Sequence, residues 1–136
     1  IVNDLFNTIS NIERVGDHAE NLAELALEKI KKGIYLSDEA YNELNEICTA
    51  ATSSFECAIN ARETEDINMI REVERLEDIV DSLRDKLRQG HIDRLSQGKC
   101  SPDNGVIFID AIINLERISD HALNIANFVE TELKSS

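Results

Sequence analysis

Residues 11–24 read "NIERVGDHAENLAE", and residues 114–127 read "NLERISDHALNIAN". Eight of these fourteen positions are identical across the 103-residue offset: Asn11/Asn114, Glu13/Glu116, Arg14/Arg117, Asp17/Asp120, His18/His121, Ala19/Ala122, Asn21/Asn124 and Ala23/Ala126. Three of the six positions that differ only exchange one aliphatic residue for another, Ile12/Leu115, Val15/Ile118 and Leu22/Ile125. A core repeated only for packing would let its charges drift. A doubled polar cassette in helical periodicity therefore points to a helical repeat with a polar task performed twice.

Outside the cassette, composition supports the same class. The chain has 136 residues, 42% hydrophobic, with one Pro, five Gly and 4% aromatics. This suits an Ala-, Ile- and Leu-rich helical domain and neither a disordered nor an all-β chain. The net charge of −13 argues against non-specific binding to nucleic acid or anionic lipid and favours cations or a basic partner. Cys48, Cys57 and Cys100 are odd in number and show no Cys-x-x-Cys spacing, which fits reduced thiols in a cytosolic protein. No signal peptide is visible, and the apolar run Val106–Ile109 is far too short to cross a bilayer. The chain opens on Ile1 already in helical pattern and reads as part of something longer.

Four helices follow from periodicity and end signals. The first runs to about Lys32, with Leu5, Ile9, Ile12, Ala19, Ala23, Ala26 and Ile30 as its expected apolar stripe and Gly33 as its stop. Ser37 caps the second, which ends near Arg62. The third begins around residues 64–66 and runs to about Leu95, with Gly90 as a weak point. Ser101, Pro102 and Asp103 start the fourth, which reaches about Leu133. Short connections predict an all-α, antiparallel up-and-down bundle of four long helices. The repeat makes helix one equivalent to helix four. Residues 34–136 then form a complete three-helix unit, and residues 1–33 are the last helix of a preceding unit.

Within the cassette Glu13 and Asp17 are four residues apart, as are Glu116 and Asp120, and "EDIVD" places Glu77 and Asp81 at the same spacing on helix three. Such pairs share one helix face, about 40° apart, at the edge of the apolar arc. Acidic edges on neighbouring helices can face each other, and four converging carboxylates require protons or a cation. A divalent or trivalent metal that prefers oxygen ligands is the matching partner. The plainer reading of any one pair is a solvated helix edge in a chain with 27 acids. His18 and His121 lie away from the carboxylate edge and suit interhelical hydrogen bonding or the surface rather than ligation of the same ion, while each cassette Arg suits a partner on another helix. His91 is expected to be exposed, and Phe6, Phe55, Phe108 and Phe128 to pack in the core. The Glu-x-x-His pattern of di-iron bundles is absent. So is any nucleophile set or phosphate-cradling Gly loop, and the chain does not read as an enzyme.

"ERVGDHAENLAE" and "ERISDHALNIAN" resemble the signature of the PhoU family, helical regulators of phosphate uptake. The resemblance implies a repeated three-helix unit whose second and third helices carry an acidic motif binding multinuclear iron or other metal clusters. It implies that Glu77 and Asp81, with Glu116 and Asp120, are ligands in one complete unit. Glu13 and Asp17 match the third-helix motif of a preceding unit whose second helix is not here. "GKCSPDNGVIFIDAIINLERISDHALNIA" resembles the PhoU-like C-terminal domain of bacterial sodium–phosphate cotransporter-related proteins. That implies a cytoplasmic regulatory domain at the cell membrane, partnered by its own transmembrane region or by phosphate-transport and signalling proteins. A soluble PhoU-type regulator and a metal-free interaction scaffold are the alternatives. An exposed first helix also leads us to expect a homodimer or higher oligomer.

Overall fold

The computed structural model describes residues 2–135, which form four α-helices: α1 Val2–Lys31, α2 Asp38–Thr64, α3 Ile67–Ser96 and α4 Pro102–Ser135. The all-α bundle expected from periodicity is what the chain adopts. Each expected helix end lies within two residues of the observed one, and α3 passes through Gly90 unbroken. The expected start at Ile1 and the terminal Ser136 lie outside the described residues.

Local chemistry explains the boundaries. The Ser37 side chain accepts from the Ala40 N–H at 3.1 Å, and Asp38 and Glu39 sit in the positive first turn of α2. Gly33 (φ 62°) and Gly98 (φ 70°) end α1 and α3 in the left-handed conformation that releases the chain from each helix. Between α2 and α3 only Glu65 and Asp66 intervene. Glu65 takes the left-handed position (φ 57°) with its N–H on the Ala61 carbonyl, and Asp66 caps α3 through the Asn68 N–H at 2.9 Å. A connection this short forces α3 antiparallel to α2.

Helices α2, α3 and α4 enclose two apolar clusters. One joins Ile47, Val80, Leu87, Phe108 and Ile112; the other joins Ala58, Ile70, Val73, Ala122, Ile125 and Val129. Alanines at Ala58, Ala61, Ala122 and Ala126, all fully buried, let the helix backbones approach closely. Toward the other end His91, expected to be exposed, is buried instead. Its Nδ1 lies 3.9 Å from Cys100 Sγ and its ring tilts against Phe108. The ring packs so closely on Gly105 that a Cβ there would lie 2.5 Å from His91 Nε2. The three cysteines are free.

Helix α1 exposes an apolar face, as its sequence led us to expect. It packs along α4, and its backbone comes near neither α2 nor α3. The face it buries is Thr8, Asn11 and Val15, while Leu5, Phe6, Ile9, Ile12, Leu27 and Ile30 are exposed. The apolar stripe read from its sequence is therefore real but uncovered. Repeat-equivalent positions show the contrast: Leu5 is 52% exposed and Phe108 1%, Ile9 58% and Ile112 1%. On α4 this stripe lies under α2 and α3, and on α1 it faces outward. Of the four Phe, only Phe108 is buried; Phe55 and Phe128 are half-buried and Phe6 is exposed.

A polar clasp holds α1 to α4 instead. Asn11 donates from Nδ2 to the Asn7 carbonyl at 2.8 Å, and its Oδ1 meets His121 Nδ1 at 3.0 Å and Asn124 Nδ2 at 3.3 Å. Asn114 repeats the arrangement with the Asp110 carbonyl at 2.8 Å, His18 Nδ1 at 3.0 Å and Asn21 Nδ2 at 3.2 Å. Between the two sets, the His18 and His121 rings stack with centroids 5.5 Å apart. Since each Asn amide nitrogen is committed to a carbonyl, its oxygen must accept, so both imidazoles carry their proton on Nδ1. Part of the doubled cassette is thus an antiparallel self-pairing, as expected for the histidines. Arg14 and Arg117 do not follow expectation: both are exposed, and among the described residues neither forms an ion pair. Asn11→Ala leaves the His121 N–H and Asn124 amide without their acceptor, and is expected to cost about 1–2 kcal/mol of α1 docking. Faster amide hydrogen exchange confined to α1 measures it; unchanged exchange contradicts the clasp.

Candidate metal centre

Glu77 and Asp81 stand one turn apart on α3, beside buried Leu76 and Val80; Asp120 stands on α4 beside buried Ser119 and Ala122. The apolar neighbours pull both helices inward, and the acids at the edge of each buried stripe come to face one another. One carboxylate oxygen from each of Glu77, Asp81 and Asp120 lies within 4.8 Å of the others. The spacing reading of an acidic edge on helix three meeting one on helix four is realised for these three residues.

The remaining acids have different surroundings. Glu116 is held in an ion pair with Arg84 of α3, its side chain 18% exposed. Arg84 Nη1 is also 3.7 Å from Asp81 Oδ1, and its Nε is 3.0 Å from Asp85 Oδ1. Glu13 and Asp17 are exposed on α1, whose backbone packs against α4, and among the described residues neither joins a cluster of converging carboxylates. Arg84 escaped notice in the sequence, although it lies three residues after Asp81 and seven after Glu77 and so shares their helix face.

Three partly buried carboxylates at this separation repel one another, and the protonation of Glu77 and Asp120 records it. Glu77 is pushed up to about 7, first by burial, then by the hydrogen bond and charge of Asp81 and by the charge of Asp120. Asp120 is also raised, by burial and by Asp81, against the opposing charges of His121, Arg84 and Arg117. A multiply charged cation relieves both effects: it replaces the missing counter-charge and accepts several oxygen donors at once. All three donors are carboxylate oxygens, the set suited to Mg²⁺, Mn²⁺, Ca²⁺ or iron rather than to a thiophilic ion.

The raised Glu77 predicts a stability trend in metal-free protein. Its ordinary value is 4.5 and its folded value about 7, so the folded chain holds this proton more tightly than the unfolded one. The contribution is full below pH 4.5 and is lost as pH rises through 7. Glu77→Gln is expected to flatten that decline and, allowing for screening of a partly exposed group, to leave the protein about 1 kcal/mol more stable at pH ~8. Thermal unfolding in a chelator at about pH 5 and 8 reads this out; an unaltered slope refutes it.

No described helix is long and apolar enough to cross a membrane. Among characterised proteins, the chain is similar to a phosphate-specific transport system accessory protein, PhoU homolog 1, from Thermotoga maritima. The two are 28% identical over 129 residues, covering 90% of this chain and 53% of that protein. The chain thus spans about half the length of the curated relative it matches. No solved structure matches it significantly. The PhoU domain model matches residues 44–129, a stretch that includes the whole carboxylate trio and well over half of the sequence; the chain belongs to the PhoU family.

Proposed function

We propose that this chain is a non-enzymatic regulatory module of phosphate transport that holds a divalent or trivalent cation, iron included, between α3 and α4. Glu77, Asp81 and Asp120 are the core ligands, and Glu116 is a further donor one turn from Asp120. The observation that carries this reading is the convergence of three carboxylate oxygens from two helices within 4.8 Å. Such a group is costly in water-poor surroundings without a counter-ion. Bound metal would supply that counter-charge and tie α3 to α4, so metal status would alter the surface a partner meets. The role in phosphate transport is supported by the family and by the name of the Thermotoga relative.

Two further elements belong to the proposal. Residues 1–33 are the last helix of a preceding PhoU-like unit. The outward stripe of α1, whose equivalents on α4 lie beneath α2 and α3, is then covered by that unit's own helix pair, and Glu13 and Asp17 gain their facing carboxylates there. In the 136-residue chain by itself the stripe drives association to at least a dimer; sedimentation equilibrium yielding a monomer at micromolar concentration would contradict this. The resemblance of residues 98–126 to the cotransporter-related proteins supports a place on the cytoplasmic side of the membrane, beside a transport segment. Recovery of the whole protein only in the soluble cell fraction would count against that setting.

The central test is titration of chelator-treated protein with Fe²⁺ and Mn²⁺ by calorimetry, alongside elemental analysis of protein purified without added metal. At least one equivalent bound with micromolar or tighter affinity is expected. Absence of binding up to millimolar metal overturns the reading.

A further inference from the structure

The spacing of acids on α3 and α4 allows four carboxylates to converge, yet three do so. The fourth, Glu116, is paired with Arg84. One guanidinium thus engages carboxylates on both helices that frame the trio: Glu116 on α4 and, at 3.7 Å from the same nitrogen, Asp81 on α3. Its other edge is steered by Asp85 at 3.0 Å. Arg84 is 31% exposed and Glu116 18%, so this pair is less screened than a surface one.

From this arrangement we propose that Arg84 is a built-in competitor for the cation, a positioning residue that limits how many carboxylates the metal meets. The inference rests on the cation reading of Glu77, Asp81 and Asp120. Arginine neutralises one charge and cannot be coordinated around, whereas a divalent ion neutralises two and takes six or more oxygen donors. Loading the trio therefore weakens the hold of Asp81 on Arg84 and brings two like charges together. The guanidinium has somewhere to go: a cavity of about 230 Å³ between α3 and α4, lined by Arg88, Asp85, Ile109 and Ile113 as well as by Arg84 and Glu116 themselves. Withdrawal of Arg84 into that groove frees Glu116 to join Asp120, one turn away, as a fourth donor. The site thereby has a tight state with Arg84 away and a loose state with Arg84 in place. A partner carboxylate that captures Arg84 would raise metal affinity without touching the metal.

The test compares the full chain with Arg84→Met, Arg84→Lys and Asp120→Asn, each titrated with Mn²⁺ by calorimetry and by electron paramagnetic resonance of free Mn²⁺. Arg84→Met is expected to bind Mn²⁺ about tenfold more tightly than the parent, and Glu116→Gln in that background to remove most of the gain. Arg84→Lys, which keeps the charge but not the fork, should fall between the two and serves if the Met variant does not fold. Equal or weaker binding by folded Arg84 variants overturns the competitor role while leaving the cation reading intact. Binding by Arg84→Met alone, with none by the parent, supports the role in its strongest form. Failure of every protein to bind Mn²⁺ overturns both, and retention of binding by Asp120→Asn removes the trio as the site.

Discussion

Replacing Glu77, Asp81 and Asp120 together with Gln, Asn and Asn is expected to weaken Fe²⁺ and Mn²⁺ binding by at least about a hundredfold and to stabilise the metal-free protein. The opposed signs make the experiment decisive. If these acids serve a cation, they are a liability without it, because three negative groups share the edge of a buried stripe and two of them are held above their ordinary protonation range. Removing the charges then loses the ligand and relieves the repulsion. If the acids instead serve as ion-pair partners in an interaction scaffold, the same replacements should destabilise the chain and leave metal binding unchanged. Glu116→Gln provides the internal comparison. It breaks the pair with Arg84 and should lower stability, as removal of one partner from a partly buried pair does. Chemical denaturation in chelator and calorimetric titration of the same preparations measure both quantities.

Phe108→Ala is expected to lower unfolding free energy by about 3–5 kcal/mol, whereas Leu5→Ala, at the equivalent place in the repeat, should change the stability of the dissociated monomer by less than about 1 kcal/mol and act instead on association. Phe108 is 1% exposed, seals the end of the bundle against His91, and presents its face to the Arg94 guanidinium at 5.5 Å. Its loss leaves a cavity that the surrounding helices cannot fill without moving. Leu5 is 52% exposed, so its truncation removes little from shelter. Urea denaturation of both variants tests the pair. A large cost at Leu5 would mean that α1 is covered in solution, as it would be in a dimer.

Much of this molecule could be read from residue order alone. Helix ends follow from Ser37, Gly33 and Pro102, whose effects are local and act through neighbouring backbone groups. The pairing of Glu77 with Asp81 along α3 follows from the 3.6-residue period, and so does the side on which Asp120 emerges from α4. The family likeness rests on the same repeated cassette. Less legible were interactions whose partners are far apart in sequence. The His91 ring reads as a lone polar group until α4 supplies Gly105 and Phe108 beside it. Arg84 reads as one surface arginine among many until Glu116 stands opposite it.

What the sequence by itself determined is the repeat, the four helices, and the acidic edges that border their apolar stripes, because each arises from periodicity within a single segment. Which edges meet was decided by tertiary packing. Helix α1 carries the same apolar stripe as α4, and periodicity alone does not say what covers either. In the folded chain one set of covering helices, α2 and α3, is shared out by where the short Glu65–Asp66 turn and the 97–101 connection can reach. They cover α4. The remaining polar face of α4 then takes α1 through its own repeated Asn and His side chains, so Glu13 and Asp17 face solvent while Asp120, the repeat counterpart of Asp17, meets Glu77 and Asp81.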